Sequence, residues 1–148
     1  MSSTPIESFM AYAEAFEIGH ATRDWKVVGD LFADDITWIL DGLAPPIGGT
    51  HVGRQDVLDG IRSSVASIDR RFDLREPEAT SPPVAFADGV YLPWRITYTR
   101  AGLPPFILTG QEWDIFQDGK MVLHYERLNN TKELNVYLTQ HNDALLPA

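Results

Sequence analysis

The chain contains no cysteine. Disulfides, thiolate metal sites and cysteine nucleophiles are excluded together, and nothing marks an oxidising compartment. Basic residues are scarce: 12 Lys+Arg stand against 21 Asp+Glu in 148 residues, a net charge of −9. That balance argues against a nucleic-acid partner, which needs a basic stripe, and against docking on anionic lipid. No apolar run approaches the roughly 18 residues of a membrane span. The opening Met1-Ser2-Ser3-Thr4-Pro5-Ile6-Glu7 has neither the basic nor the apolar region of a secretory signal. The four histidines show no HxH or HExxH spacing, Gly48-Gly49 lacks the lysine of a phosphate loop, and no Gly-x-Ser-x-Gly elbow occurs. The reading is therefore of chemistry with no metal and no cofactor. What is present is 44% hydrophobic and 11% aromatic residues, enough for a real core. A single cytoplasmic domain over 1–148 is expected.

Thr4-Pro5-Ile6-Glu7 reads as a capping box with Pro at the first helical position. The helix it opens carries Phe9, Tyr12, Ala13, Phe16 and His20 on one stripe, with Gly19 weakening the last turn. A second helix fits Asp24 to Phe32, a strand fits Ile36 to Leu40, and a Gly/Pro-rich loop runs from Asp41 to Gly53. A third helix fits Arg54 to Ile68. The period then changes: Phe72–Glu76, Val84–Ala87, Val90–Thr99, Phe106–Phe116 and Met121–Leu128 read as strands between Pro-Pro, Asp-Gly and Ala-Gly turns. Asn130 caps a final helix bearing Leu134, Tyr137, Leu138 and His141. The order predicts an α+β fold with helices laid on one face of a curved antiparallel sheet.

The hairpin around Asp118-Gly119 decides which side chains share a face. A two-residue type I′ turn would set Trp113 opposite His124. A three-residue loop with a G1 bulge would set Phe116 opposite Lys120, Asp114 opposite Val122 and Glu112 opposite His124. The second choice gathers Glu112, Asp114, His124 and Glu126 on one face and leaves Trp113, Ile115, Met121, Leu123 and Tyr125 on the other, so it is preferred. Two readings of the polar face stay open: a solvated surface, or the lining of a helix-covered cavity whose crowded carboxylates have raised pKa values.

The run Asp24–Phe32 followed by Ala33-Asp34-Asp35-Ile36-Thr37-Trp38, then Pro45-Pro46 and His51-Val52-Gly53-Arg54-Gln55-Asp56, resembles the front half of the nuclear transport factor 2-like superfamily, in its SnoaL-like branch. The stretch Trp113–Glu126, a strand–Asp-Gly–strand unit, resembles the back half. The resemblance spans roughly residues 8 to 128 and leaves a terminal helix extension over 130–145 outside it. It implies a cone-shaped α+β barrel, a curved sheet and three helices around a deep pocket, and a homodimer formed through the sheet. It favours the cavity reading of the polar face. Set against the ketosteroid isomerases, the oxyanion-hole Tyr falls at Phe16, the base at Leu40 with Asp41 one residue away, and only the protonated Asp has a counterpart, Asp114. Set against the limonene-epoxide hydrolases, the positions fall at Glu126, near Arg95 and at Thr97. The polyketide cyclases of the branch use an acid/base Asp in the strand before the turn, which Asp114 matches.

The resemblance thus implies Asp114 alone as acid/base, the His of those cyclases lying on another strand; Glu126 and His124, on the same polar face, are read as supporting groups. Phe16, Trp38, Leu40 and Trp94 are candidate pocket walls for a small apolar or aromatic ligand. His20, on the helix stripe, and Glu112 complete the candidate ligand-binding set. Two functions follow: a cofactor-independent cyclase, isomerase, dehydratase or epoxide hydrolase, or a non-catalytic ligand-binding or dimerisation module of the same fold. The final helix is a further candidate for docking a partner through Leu134, Leu138 and His141.

Overall fold

The protein is described by a computed structural model covering residues 3–148. The capping box forms as the sequence predicts: Glu7 N–H donates to Thr4 Oγ1 at 3.2 Å and Thr4 N–H donates to Glu7 Oε2 at 2.8 Å. It starts α1, Pro5–Thr22. Gly19 lies in the last turn of this helix; a Cβ there would lie 3.0 Å from the Trp25 ring, so glycine is what lets the indole close on that turn. The expected second helix shrinks to α2, Lys26–Gly29, because Phe32 already belongs to β1, Phe32–Asp41, and pairs with Met121. Sheet pairing overrides the helical pattern there. The expected loop from 41 to 53 contains a further strand, β2 (Gly49–Val52), antiparallel to β1. Then follow α3 (Arg54–Ser67), a 3-10 turn (Asp69–Arg71), β3 (Leu74–Ala79), β4 (Val84–Phe86), β5 (Gly89–Thr99), β6 (Phe106–Gln117), β7 (Lys120–Leu128) and α4 (Thr131–Gln140).

The strands form one curved, unclosed sheet in the order β2-β1-β7-β6-β5-β3, with β4 also on β5. The expected antiparallel arrangement holds except where β1 runs parallel to β7. Inward residues of β1, β5, β6 and β7 meet α1 and α3 in a core that includes Phe9, Tyr12, Trp38, Leu40, Val57, Ile61, Trp94 and Leu108. No helix of the described residues is long and apolar enough to cross a membrane.

The β6–β7 hairpin corrects both proposed registers. Gln117 pairs with Lys120 and Phe116 with Met121, a two-residue turn with Asp118 (φ 52°) and Gly119 (φ 76°) both left-handed. Between Ile115 and Phe116 the register then shifts, and Val122 is the extra residue of a bulge. Beyond it Asp114 opposes His124, Trp113 opposes Tyr125 and Glu112 opposes Glu126. The bulge restores the parity of the preferred reading, so the four polar side chains do share a face, but Met121 lies inward, fully buried, instead of with Trp113.

The terminal helix folds back on its own chain. Leu134 is fully buried, Leu138 packs against the core, and Tyr137 stacks on Phe72 and donates to Pro104 O at 2.7 Å. Asn130 makes no side-chain cap; its amide bridges Thr109 N and Ile107 O of β6. Arg71 ties down the tail through Leu146 O at 2.9 Å and Asn142 Oδ1 at 2.8 Å. The apolar face expected to dock a partner is therefore spent within the molecule.

One strand glycine sets a wall of the interior. A Cβ on Gly110 would fall 2.5 Å from the Trp94 ring and 2.9 Å from Arg127 O. Gly110→Ala should cost about 1–3 kcal/mol by overpacking. Urea denaturation checks this; an unchanged midpoint would mean that Trp94 has room to move.

Candidate active site

The inward face of β6 and β7 carries Asp114 and His124, which are 0% and 2% exposed, so the polar face lines the interior. His124 is the hub. Its Nδ1–H donates to Asp114 Oδ1, and Glu112 Oε2 lies 3.5 Å from the same nitrogen. Its Nε2–H donates to Glu126 Oε1 at 2.6 Å, with the Tyr12 hydroxyl 3.4 Å away. Trp38 Nε1–H donates to that same Glu126 oxygen at 3.1 Å, so Oε1 is held twice. The imidazole is flanked by the edge of Tyr12 and the stacked ring of Trp38, whose other face stacks on His51.

Electrostatics separate these groups. Burial works against the charged imidazole, but Asp114 and Glu126 outweigh it and hold the His124 pKa well above its ordinary value. Burial, then the Asp114 charge, pushes Glu112 well above the ordinary carboxylate range. Burial also acts to raise Glu126, yet the imidazolium beside it, with the Trp38 donor, leaves its pKa lowered. The environment thus favours a charged His124, an ionised Glu126 and a protonated Glu112. Ligand atoms of Glu112, Asp114 and His124 lie within 4.8 Å of one another, a spacing compatible with a cation. With both N–H groups of His124 donated, as here, a metal ion would have to displace the Nδ1 proton to bind.

Two adjoining lobes open beside the cluster, of about 90 Å³ and about 260 Å³. The inner lobe is walled by Phe16, Trp38, Leu40 and Trp94 and reaches Glu126. The outer lobe, between α1 and the sheet, reaches Glu112, His124 and Glu126 and shares Phe16 and Trp94. Asp114 lines neither lobe; it stands behind His124. His20 lines neither lobe as well: at the end of α1 its carbonyl accepts from Arg70 at 3.1 Å, and its Nε2 is buried without a partner. Arg95 points to the opposite face of the sheet and pairs with Glu78, so the arginine of the epoxide-hydrolase arrangement is not supplied from there. Asp41 also faces away, accepting from Tyr125 at 3.1 Å.

Sequence reasoning missed a second polar group in the interior. Arg75 on β3 reaches Asp69 of the 3-10 turn (Nε to Oδ2, 3.2 Å) and Glu17 of α1 (Nη1 to Oε2, 3.0 Å). Tyr98 donates to Asp69, whose carboxyl burial raises against the pull of Arg75. Each residue sits in an unremarkable local pattern; only the placement of the 3-10 turn against β3 and β5 brings them together.

A family model for the SnoaL-like domain matches residues 10–124. No curated protein matches the chain by sequence. Among solved structures, it is similar to a protein from Rhodopseudomonas palustris that carries the provisional name of isomerase. The two share 20% identity over 89% of this chain and 96% of that one, with a TM-score of 0.72. An NTF2-like protein of unknown function from Burkholderia pseudomallei gives 19% identity over 91% and 98%, with a TM-score of 0.71. TerC, co-crystallised with polyporic acid, gives 19% identity over 93% and 99%, with a TM-score of 0.65. At these identities the likeness is one of fold.

The pKa directions set a pH dependence of stability. Native Glu112 keeps its proton where the unfolded chain, near 4.5, has lost it, so its contribution declines as pH rises above that value. His124 acts in the same direction: its contribution is full below about 6.5 and lost as pH climbs through the raised native value. Glu126 acts oppositely, contributing above 4.5 and losing that as pH falls through its lowered native value. Glu112→Gln removes the first effect alone. It should leave the urea midpoint nearly unchanged near pH 4.5 and raise it at about pH 8; an equal difference at both pH values would refute a neutral Glu112.

Proposed function

Since this chain belongs to the SnoaL-like domain family, we propose that it is a cofactor-independent acid/base enzyme acting on a small, mostly apolar ligand. One observation carries the reading: Glu112 and Glu126, paired across β6 and β7, both line the outer lobe while their environments push their pKa values in opposite directions. A neighbouring ionised and protonated carboxyl pair is the equipment of proton transfer at neutral pH. Glu126 is the base. Its Oε1 is fixed by His124 and Trp38, which leaves Oε2 for a substrate proton. Glu112 is the acid, delivering a proton to the atom on which charge builds. His124 keeps Glu126 ionised; the proton that Glu126 takes goes back to a carbon of the ligand, and Glu112 regains its own as the charge on the accepting atom collapses. Asp114 takes a different part from the one the sequence resemblance implies: out of reach of both lobes, it fixes the imidazole as a positioning residue. The apolar lining of Phe16, Trp38, Leu40 and Trp94 suits the body of an aromatic ligand. The fold shared with an isomerase-named protein and with TerC bound to polyporic acid is consistent with such a pocket.

Solvent-deuterium exchange into the acidic C–H bonds of a panel of small aromatic ketones, followed by NMR without added cofactor, tests the assignment. Glu126→Gln should lower exchange by about 10²–10⁴-fold. Asp114→Asn should lower it less and shift its pH profile. Tight ligand binding with no exchange, unaltered by Glu126→Gln, would favour the non-catalytic binding module.

The homodimer rests on a separate observation. The convex face of the sheet presents a half-buried ladder of Tyr91, Trp113, Tyr125 and Ile39 in register across four strands, with Tyr91 and Tyr125 both packed on the Trp113 ring. An aromatic row of this kind on a solvent-facing sheet suits burial against a second copy. Light scattering should give twice the chain mass, and Trp113→Glu should give the monomer; a monomeric wild type would overturn this.

A further inference from the structure

The proposed acid/base chemistry uses the cluster around His124 and leaves Arg75 unexplained. This arginine is the cation common to both lobes of the cavity, and its side chain is only 9% exposed. The Phe16 ring lies 5.4 Å from the guanidinium carbon, and Asp69 and Glu17 keep the group charged despite its burial. Yet its donors are poorly used. Nη1 donates to both oxygens of Glu17, at 3.1 and 3.0 Å. Nε lies 3.2 Å from Asp69 Oδ2 but is misaligned and makes no hydrogen bond, and among the described residues none engages Nη2. A buried guanidinium with unfilled donors on a cavity wall is incomplete as a structural ion pair.

Its two carboxylate neighbours are unlike. Asp69 is nearly covered, with 12% of its side chain exposed, and already accepts from Tyr98. Glu17 sits on the rim of the outer lobe with 52% of its side chain exposed. Only the Glu17 end of this pair is exposed, so Glu17 can turn out to water as an incoming carboxylate takes its place on Nη1, and the buried Arg75 is not left unpaired. A planar carboxylate arriving through the outer lobe would find the fork geometry that guanidinium favours, in a setting drier than the surface.

Resting on the acid/base reading and naming its substrate class, we propose that Arg75 is the recognition group for the carboxylate of a small aromatic acid, and that Glu17 is an internal competitor for the same donors. The aromatic body lies between Phe16, Trp94 and Ile96, which line both lobes, and this places the ring beside Glu126.

Equilibrium binding of 2-naphthoate and of its neutral amide, by calorimetry or tryptophan quenching, tests this without requiring turnover. The wild type should bind the carboxylate about tenfold or more tightly than the amide, in keeping with a charged hydrogen bond. Arg75→Gln should remove that preference. Glu17→Ala should tighten the carboxylate several-fold and leave the amide unchanged, whereas a purely structural Glu17–Arg75 pair predicts equal or weaker binding of both. Glu17 is half exposed on a helix, so this second variant holds the test even if Arg75→Gln fails to fold. Equal affinities in the wild type, binding of neither compound, or a Glu17→Ala variant with no selective gain would each overturn the proposal. Loss of carboxylate preference with deuterium exchange intact would reject Arg75's part alone; preserved preference with no exchange would reject the catalytic reading alone.

Discussion

A charged imidazole buried between two carboxylates is the interaction on which the interior depends. Taking these ions from water costs several kcal/mol each, and only close pairing with good hydrogen bonds offsets it. The chain meets that requirement from three elements: β6 supplies Asp114 and Glu112, β7 supplies His124 and Glu126, and β1 supplies the Trp38 indole N–H. Tyr12 of α1 then covers the imidazole. Helix packing, strand register and the charge state of the cluster are consequently tied together, since moving any of them strands a buried charge.

The register that makes this possible comes from one residue. Were Val122 paired in a regular ladder instead of bulged out, the two-residue turn would send His124 to the convex face opposite Trp113; with the bulge, His124 and Glu126 turn inward beside Asp114 and Glu112. Alternation of polar and apolar residues made the shared face legible, because parity survives whether the extra residue sits in the turn or after it. The position of the bulge was not legible, since nothing in Met121-Val122-Leu123 distinguishes which residue is skipped. For the same reason Met121 was assigned to the wrong face. The helix stripe of α1, its capping box and the β5–β7 strands follow from local patterns strong enough to survive folding. The residues of α2 and β2 do not, because both are short and are decided by pairing with β1 and β7.

Which face of the sheet is inside could not come from periodicity, because both faces carry large apolar groups. Tyr91, Trp113 and Tyr125 on one side are as hydrophobic as Trp38, Leu40 and Trp94 on the other. The fold resolves this with α1 and α3, whose apolar stripes close over the face bearing the carboxylates. A sheet with one apolar face covered by helices and a second left open is asymmetric in a way that suits a pocket on one side and a self-complementary surface on the other.

The cavity inherits its chemistry from that choice. Its polar groups fall into two sets, which share the lobes walled by Phe16 and Trp94. The set around His124 stores a proton between carboxyls of divergent acidity. The set around Arg75 keeps a cation charged within low-dielectric surroundings. A ligand held at one end by charge and presented at the other to a carboxylate base would have its reacting atoms fixed by geometry rather than by any cofactor. Both sets act on Glu126, whose ionised form is favoured by His124 first and by Arg75 as a lesser influence. A ligand carboxylate that neutralised Arg75 would withdraw part of that support and raise the basicity of Glu126 when the site is filled. On the proposed reading, binding and proton abstraction would in this way be coupled through one charge.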